Sequence, residues 1–266
     1  MSAAVADAAL LRTYPRARPP LSPAHEAIFE TQYKENRSGE GAAASLAQRM
    51  EAWMHRRVAA VQGGPALELG AGTLNHAPYE APDIDYDAVE PFTALYEDSP
   101  ARSRIRDIYA AQADIPEDRR YRRIFSVAVL EHMLDLPGEL ALSALKLSDD
   151  GVFQAGVPSE GGLLWWLGWR GTTGLAFYLK HRLDYGVCMR HEHVSKAPEI
   201  IAVTRRFFED VSVTRWPTPL HHLSFYAYLE ARGPRRDFAQ DYLSTRAPGA
   251  SAKAGAGAQQ ESDATS

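Results

Sequence analysis

A short apolar run that begins at Ala66 ends in an acid and two glycines, spaced as Glu68-x-Gly70-x-Gly72. The run predicts a buried strand, and the glycines predict a turn that leads from this strand into a helix. Glycine lets the backbone adopt positive φ and leaves no Cβ between the chain and a ligand. The first N–H groups of the following helix are free to bind an anion. Together these features are typical of a nucleotide-like cofactor site at the carboxyl edge of a parallel sheet.

A second acid strengthens this prediction and narrows the class of cofactor. Glu90 ends the apolar run that starts at Tyr86, twenty positions after Gly70. An acid at the tip of the second strand can bind both hydroxyls of a ribose. A nicotinamide cofactor would also use such an acid, but its fingerprint requires a third glycine where this chain has Asn75. Glu68 can instead face the ammonium end of a zwitterionic cofactor, so the pattern favours S-adenosylmethionine over NAD.

The chain resembles the class I S-adenosylmethionine-dependent methyltransferases over roughly residues 45–230. Beyond the glycine turn, the resemblance rests on the segments 111–116, 121–129, 130–133 and 151–158. It implies an α/β fold, with a Rossmann-like seven-stranded sheet, helices on both faces and an antiparallel terminal hairpin. It also implies that residues 130–133 border the active site and that Asp114 lies near the adenine amino group. The cofactor-binding residues expected on these grounds are Glu68, Gly70, Gly72, Glu90 and Asp114.

Histidines are the candidates for catalysis. Transfer of a methyl group to a hydroxyl gains from a base with a pKa near neutrality, and histidine is the usual choice. We predict His132, which follows the fourth strand, and His193, which lies in a later insertion, as the two candidates. An equally good interpretation of His132 is a residue at the start of a helix that only borders the cofactor. For the histidines of the insertion, the alternative to a catalytic role is that local hydrogen bonds satisfy them. His76, just after the glycine turn, is a weaker third candidate.

The same histidines also raise the question of a metal site. His191-Glu192-His193 could supply metal ligands, and His181, His221 and His222 could add to them. The chain has no cysteine pair and no His-Glu-x-x-His spacing. We therefore predict no metal site.

Composition limits the classes of function. The chain has 266 residues with 45% hydrophobic content, enough to bury the core of one full domain. Its formal net charge of −5 gives no electrostatic footprint for nucleic acid. A single cysteine, Cys188, excludes an intramolecular disulfide and suits a reducing compartment. With no basic-then-apolar leader at its start, we expect a cytoplasmic protein.

The chain divides into an arm, a domain and a tail. Residues 1–23 are rich in proline and arginine and predict a flexible arm, whereas residues 24–232 form the methyltransferase domain. The polar and then Ala/Gly/Ser-rich stretch 233–266 cannot bury enough apolar surface to order and predicts a disordered tail. Two strands are expected near Val211–Trp216 and Ser224–Glu230, without a crossover between them.

An insertion at 159–196 interrupts the alternation of strands and helices. It has tryptophan at positions 165, 166 and 169, and its apolar character continues to Leu179. Arg170 and several glycines argue against a membrane span. Our main interpretation is a lid or substrate-binding wall, because the insertion follows the fifth strand and aromatic walls suit sugars and planar ligands. A helix at a lipid interface, an extra packing layer and an oligomer contact remain open.

The sequence therefore predicts methyl transfer from S-adenosylmethionine to a small molecule. Short motifs around residues 158–162 and 192–194 are similar to those of methyltransferases that take part in the biosynthesis of polysaccharides and of small molecules, which favours O-methylation of a sugar or sugar-like hydroxyl. One alternative is a catalytically inactive cofactor-binding or interaction protein on the same fold. A nicotinamide enzyme is opposed by Asn75. The methyl acceptor and the oligomeric state stay open.

Overall fold

A single mixed sheet organises the part of the chain that the computed structural model describes, residues 9–28 and 42–246, with side chains from residue 50 onward in the second range. Its seven strands lie in the order β3-β2-β1-β4-β5-β7-β6. They are β1 (Ala66–Leu69), β2 (Tyr86–Val89), β3 (Ile108–Tyr109), β4 (Tyr121–Val127), β5 (Leu147–Pro158), β6 (Phe208–Pro217) and β7 (Ser224–Pro234). Strands β1 to β5 are parallel, and β7 runs antiparallel to both of its neighbours. The seven-stranded sheet with its antiparallel terminal hairpin is thus confirmed.

Helices cover both faces of this sheet. After helical stretches at residues 9–11 and 23–28, they are in chain order α1 (Ala42–Ala59), α2 (Leu136–Lys146), α3 (Leu163–Trp169), α4 (Leu175–His181), α5 (Tyr185–Glu192), α6 (Ala197–Phe207) and α7 (Arg236–Ser244). A π-helical turn, Arg170–Gly174, joins α3 to α4. Three-residue 3₁₀ turns follow β3, at Gln112–Asp114, and β4, at Leu130–His132.

The alternation of side chains along the strands creates two hydrophobic layers. Leu67 and Leu69 of β1 join the layer that α2 and α6 close, whereas Ala66 joins the layer on the α1 side. All four residues of β1 are buried, as expected for a central parallel strand covered on both faces. Glu68 has the same parity as Ala66, so a carboxyl group is placed inside the layer on the α1 side.

The domain is longer than the sequence predicts at both ends. Within the predicted flexible arm, residues 9–23, Tyr14 is buried and its hydroxyl lies 2.8 Å from Ser195 Oγ. Arg16 forms an ion pair with Glu199 at 2.8 Å. Residues 9–23 are therefore part of the packed domain, because a few apolar side chains and one ion pair hold a proline-rich segment that has no periodic pattern.

The predicted disordered tail also begins too early. Helix α7 lies within it, and Ala239 is fully buried while Phe238 packs its ring against Phe207 at 5.3 Å. The polar residues of this helix face solvent, which is why its composition suggests disorder. Residues 1–8 and 247–266, the remaining parts of the predicted arm and tail, lie outside the described residues.

Candidate active site

The carboxyl ends of the parallel strands bring four segments to one edge of the sheet. The glycine turn follows β1, Glu90 follows β2, the turn Leu130–His132 follows β4, and Glu160 follows β5. Ligands of open α/β sheets bind at this edge, where strand order reverses around the first strand. Here β1 lies between β2 and β4, so the edge is the place that the sequence predicts.

The glycine turn uses its two glycines differently. Gly70 and Gly72 both have positive φ, +67° and +50°. A Cβ on Gly70 would lie 2.5 Å from Val129 Cγ1, so this glycine permits close approach to the segment after β4. A Cβ on Gly72 would meet no atom within 4 Å. The open space beside the turn is therefore at Gly72, and Gly70 primarily serves the packing of the turn on Val129.

Glu90 is held in place by the backbone around it. Its Oε2 accepts a hydrogen bond from the Gly72 N–H at 2.8 Å, and its Oε1 accepts one from the Phe92 N–H at 3.0 Å. Burial raises the pKa of Glu90, and these two hydrogen bonds oppose the rise. Each carboxylate oxygen keeps a lone pair for a further donor. The geometry suits a group that accepts hydrogen bonds from two hydroxyls.

Glu68 is a buried acid with one hydrogen-bond partner among the described residues. The Tyr86 hydroxyl donates to its Oε2, and the side chain is otherwise enclosed. Burial raises the pKa of Glu68 to about 8, with the Tyr86 hydrogen bond acting in the opposite direction. A cationic ligand group beside this carboxyl would favour its ionised form. Glu68 is thus suited to the ammonium end of a zwitterion.

Asp114 is placed after β3 but is already engaged. It is exposed, and its Oδ2 accepts a hydrogen bond from the Ala111 N–H at 2.9 Å, which closes the turn Gln112–Asp114. The contact that the resemblance implies for this residue, near an adenine amino group, remains a proposal.

The structure brings the two candidate histidines together. The rings of His132 and His193 meet edge-on, with 4.7 Å between their centroids. The cause lies in the backbone, because the N–H groups of Val194 and Ser195 donate to the carbonyl oxygen of Glu131 at 2.8 and 3.1 Å. These bonds tie the end of the insertion to the turn after β4.

Each of these histidines is oriented through Nδ1. His132 Nδ1 lies 3.1 Å from the carbonyl oxygen of Glu192, and His193 Nδ1 lies 2.5 Å from Glu160 Oε2. A carbonyl or carboxylate oxygen accepts, so Nδ1 carries the proton in both rings and Nε2 is left for other partners. Glu131 lies beside them, and its buried Oε2 has no hydrogen-bond partner among the described residues.

The three side chains differ in proton affinity. Burial and, to a smaller extent, the charge of His193 together lower the pKa of His132 to about 3. Burial also lowers the pKa of His193, but the hydrogen bond to Glu160 and the charges of Glu131, Glu160 and Glu192 outweigh it, so the pKa is raised. Burial raises the pKa of Glu131 to about 7. His193 is therefore the stronger base of the two histidines.

The cluster could also hold a divalent cation. Glu131, His132 and His193 each offer one ligand atom, and these atoms lie within 4.8 Å of one another. Metal-bound histidines usually donate their other ring N–H to a carbonyl or carboxylate, as both rings do here. Of the histidines that the sequence suggested as metal ligands, only His193 belongs to this set, so the prediction of no metal site rested on a different group of residues.

His76 lies elsewhere. It is fully buried, its Nε2 lies 2.9 Å from Glu80 Oε1, and its Nδ1 lies 2.9 Å from His55 Nδ1. Arg123 completes this network with two hydrogen bonds to Glu80, at 2.8 and 2.9 Å. Burial lowers the pKa of His76. His76 is a structural residue in this arrangement and not a base beside a substrate.

Glu131 and Glu160 lie in segments that the sequence analysis singled out, but neither was predicted as a site residue. Glu131 precedes a candidate histidine, and Glu160 stands two residues after the end of β5. Their position at the carboxyl ends of β4 and β5 was the available signal. The pairing of Glu160 with His193 was not visible, because the two residues are 33 positions apart.

Comparison with solved structures identifies the fold. A methyltransferase from Thermotoga maritima, described as S-adenosylmethionine-dependent and a possible histamine N-methyltransferase, matches with a TM-score of 0.50 and 16% identity, over 70% of this chain and 91% of that one. A possible exported protein from Bordetella parapertussis matches with a TM-score of 0.50 and 12% identity, over 88% and 80%. No protein-family model matches the sequence, and no curated protein matches it significantly. The chain has the fold of the class I S-adenosylmethionine-dependent methyltransferases.

Proposed function

We propose that this protein transfers a methyl group from S-adenosylmethionine to a hydroxyl of a small, sugar-like molecule. One observation carries the proposal: the glycine turn and the histidine cluster adjoin. Gly70 packs on Val129, and the turn Leu130–His132 begins at the next residue. A cofactor held at the glycine turn would therefore lie beside the cluster. Proximity of this kind is the main requirement for methyl transfer.

The cofactor would be held by residues that already have the right hydrogen-bonding capacity. Glu90, fixed by two backbone N–H groups, would bind the ribose hydroxyls. Glu68 would face the ammonium group, and the open space at Gly72 would let the ligand approach the backbone. Asp114 would lie toward the adenine. When bound, S-adenosylmethionine supplies a methyl group attached to a sulfonium. The thioether that remains after transfer is a good leaving group for in-line displacement.

The cluster would prepare the acceptor. His193 Nε2 would accept the hydroxyl proton, and the carboxylate of Glu160 on Nδ1 would stabilise the imidazolium that forms. His132, whose low pKa keeps it neutral, would accept or position a hydrogen bond without becoming charged. A base of this kind contributes roughly 10²–10⁴-fold to the rate. The same arrangement suits a hydroxyl better than an amine. A hydroxyl gains from losing its proton to a base, whereas an amine that is neutral, as at sufficiently high pH, can attack through its lone pair directly.

An aromatic pair beside the cluster favours a sugar-like acceptor. Trp165 of the insertion meets Tyr226 of β7 edge-on, with 5.9 Å between ring centroids. Tyr226 is close enough to Glu131 for the charge of that residue to contribute to the raised pKa of the phenol. Apolar ring faces combined with a few polar groups are the usual lining of small-molecule sites.

Transfer of a radiolabelled methyl group tests the proposal. Purified protein would be incubated with methyl-labelled S-adenosylmethionine and a panel of nucleotide sugars, free sugars and matched amino sugars. We expect label in hydroxyl acceptors, a loss of about 10²–10⁴-fold in His193→Gln, and little change in His222→Gln, a control at an exposed histidine. Label only in amines would replace the hydroxyl assignment with N-methylation.

Two further results would overturn parts of the proposal. Tight binding of S-adenosylhomocysteine without turnover on any acceptor would favour the alternative, an inactive cofactor-binding protein on this fold. Loss of activity in a chelator, restored by a divalent cation, would assign Glu131, His132 and His193 to metal binding and remove the base role of His193. Activity that is insensitive to the chelator supports His193 as the base.

A further inference from the structure

Exposed apolar side chains are concentrated on one part of the described surface. Nine large hydrophobic residues of the described chain are at least 41% exposed, and six of them lie between residues 163 and 179. Two more, Leu220 and Leu223, belong to or adjoin the turn His221–Leu223. This turn lies against the start of α3, where the His221 carbonyl oxygen is 2.6 Å from the position of a Cβ on Gly162. Scattered exposed apolar residues are normal, but a continuous patch marks an interaction site.

The residues of this patch follow a repeated pattern. Leu163-x-x-Trp166-Leu167-x-x-Arg170 recurs twelve positions later as Leu175-x-x-Tyr178-Leu179-x-x-Arg182. Within each copy the spacing of three and four residues places the two leucines and the aromatic ring on one helix face, and an arginine ends the copy. We call the exposed surface formed by these eight residues the outer face.

The π-helical turn aligns the two copies. Twelve residues of regular α-helix make about 3.3 turns, which would rotate the second copy by about a third of a turn. The turn Arg170–Gly174 bonds from residue i to i+5 and thereby absorbs about one extra residue. The remaining eleven residues make about three full turns. The outer face is thus continuous across both helices, and the π turn is the feature that aligns them.

The opposite face already anchors these helices to the domain. Trp165 packs on Tyr226, Trp169 lies 6.0 Å from the ring of Tyr185, and Phe177 is buried, with its ring 5.2 Å from the same tyrosine. The fold therefore does not need the outer face for its own packing. The apolar residues on that face are therefore free to make another contact.

The charges of the segment indicate what makes this contact. Residues 161–183 contain no aspartate or glutamate. Arg170 lies over the ring of Trp166 at 5.2 Å, and Arg182 lies over the ring of Tyr178 at 5.7 Å. Tryptophan and tyrosine are preferred at the level of lipid headgroups, and arginine beside them can reach phosphates. In a two-fold contact of this segment with itself, no acidic residue of 161–183 would be present to pair with these cations.

We propose that the outer face docks on the surface of an anionic phospholipid bilayer, with the leucines and aromatic rings in the interface and the arginines on lipid phosphates. None of the helices in the described ranges is long and apolar enough to cross a membrane, so the contact is peripheral. The outer face and His193 belong to the same insertion, residues 159–196. This inference does not depend on the methyl-transfer proposal.

Vesicle co-flotation of the full chain tests the inference. Wild-type protein would be mixed with phosphatidylcholine vesicles that contain or lack phosphatidylglycerol. We expect binding to the anionic vesicles, and at least a tenfold loss in Trp166→Ser/Leu179→Ser and in Arg170→Glu/Arg182→Glu. The matched controls, Phe92→Ser and Arg122→Glu/Arg232→Glu, carry the same types of change at exposed positions elsewhere and should bind as the wild type does.

Trp165 and Trp166 lie in different environments. Trp165 is partly buried and packs on Tyr226, so its replacement would disturb the fold, whereas Trp166 is 44% exposed. Circular dichroism would confirm that each variant is folded. Absence of wild-type binding, or equal binding by the outer-face and control variants, would overturn the inference. A dimer in sedimentation that Trp166→Ser/Leu179→Ser dissociates, without vesicle binding, would assign the face to a second copy instead.

Discussion

Alanine at Gly70 should destabilise the fold, although the sequence motif suggests a loss of cofactor binding alone. Gly70 has φ of +67°, and an added Cβ would lie 2.5 Å from Val129 Cγ1 and 2.8 Å from Cγ2. The left-handed conformation costs an alanine about 1–2 kcal/mol. Overpacking against a branched side chain adds about 1–3 kcal/mol. The expected loss of unfolding free energy in Gly70→Ala is therefore about 2–5 kcal/mol.

Gly72→Ala is the matched comparison. Its φ of +50° carries the same conformational cost, but its Cβ would meet nothing within 4 Å. We expect Gly72→Ala to lose only about 1–2 kcal/mol of stability and to bind S-adenosylhomocysteine less tightly, because its Cβ enters the space beside Glu90. The two variants thus separate a packing glycine from a binding glycine.

A double-mutant cycle makes the test quantitative. Val129→Ala removes both methyl groups that crowd the new Cβ, so the double variant Gly70→Ala/Val129→Ala should recover about 1–3 kcal/mol relative to the sum of the single changes. Urea unfolding followed by circular dichroism measures each free energy. Strictly additive effects, or equal losses in Gly70→Ala and Gly72→Ala, would refute the assignment of Gly70 to packing on Val129.

Three further predictions concern protons and mobility. Because Glu160 raises the pKa of His193, kcat/KM should rise with pH through that raised pKa, and Glu160→Gln should move the rise to lower pH; an unmoved profile would exclude this pairing from catalysis. Hydrogen bonds from His76 and Arg123 outweigh burial and lower the pKa of Glu80 from its ordinary value of 4.5 to about 2. Ionised Glu80 should therefore stabilise the fold by about 3 kcal/mol at pH values above 4.5, and this stabilisation should be lost as the pH falls toward 2. Urea unfolding against pH would show a shallower dependence over that window in Glu80→Gln, and parallel curves would contradict the assignment. Amide exchange in residues 159–196 should slow when cofactor and acceptor are both bound, and equal exchange would favour a fixed packing layer over a lid.

The local sequence pattern predicted the strands and turns that form the site, but not the contacts between residues that are distant in the sequence. The glycine turn, the acid at Glu90 and the terminal hairpin were predictable, because strand periodicity and glycine punctuation depend on neighbouring residues. The meeting of His132 with His193 was not, since it depends on backbone hydrogen bonds between residue 131 and residues 194–195. The proposed packing role of Gly70 likewise depends on Val129, a neighbour only in three dimensions.

The predicted boundaries of the domain were wrong for a related reason. Tyr14 and Ala239 are buried, yet each lies in a stretch whose average composition is polar or proline-rich. Composition describes a segment as a whole, whereas burial here depends on a few side chains that find a groove in the rest of the fold. Residues of this kind become visible only when their partners, such as Ser195 and Phe207, are known.

Calorimetric titration of S-adenosylhomocysteine into wild type, Glu90→Ala and the control Glu117→Ala tests the placement of the cofactor most directly. Glu90 is held by the Gly72 and Phe92 N–H groups at the tip of β2, whereas Glu117 is exposed. We expect one binding site per chain in wild type, a loss of about 1.5–3 kcal/mol in Glu90→Ala, and no change in Glu117→Ala. Absence of binding in the wild type, or an unchanged dissociation constant in a folded Glu90→Ala, would contradict this cofactor site.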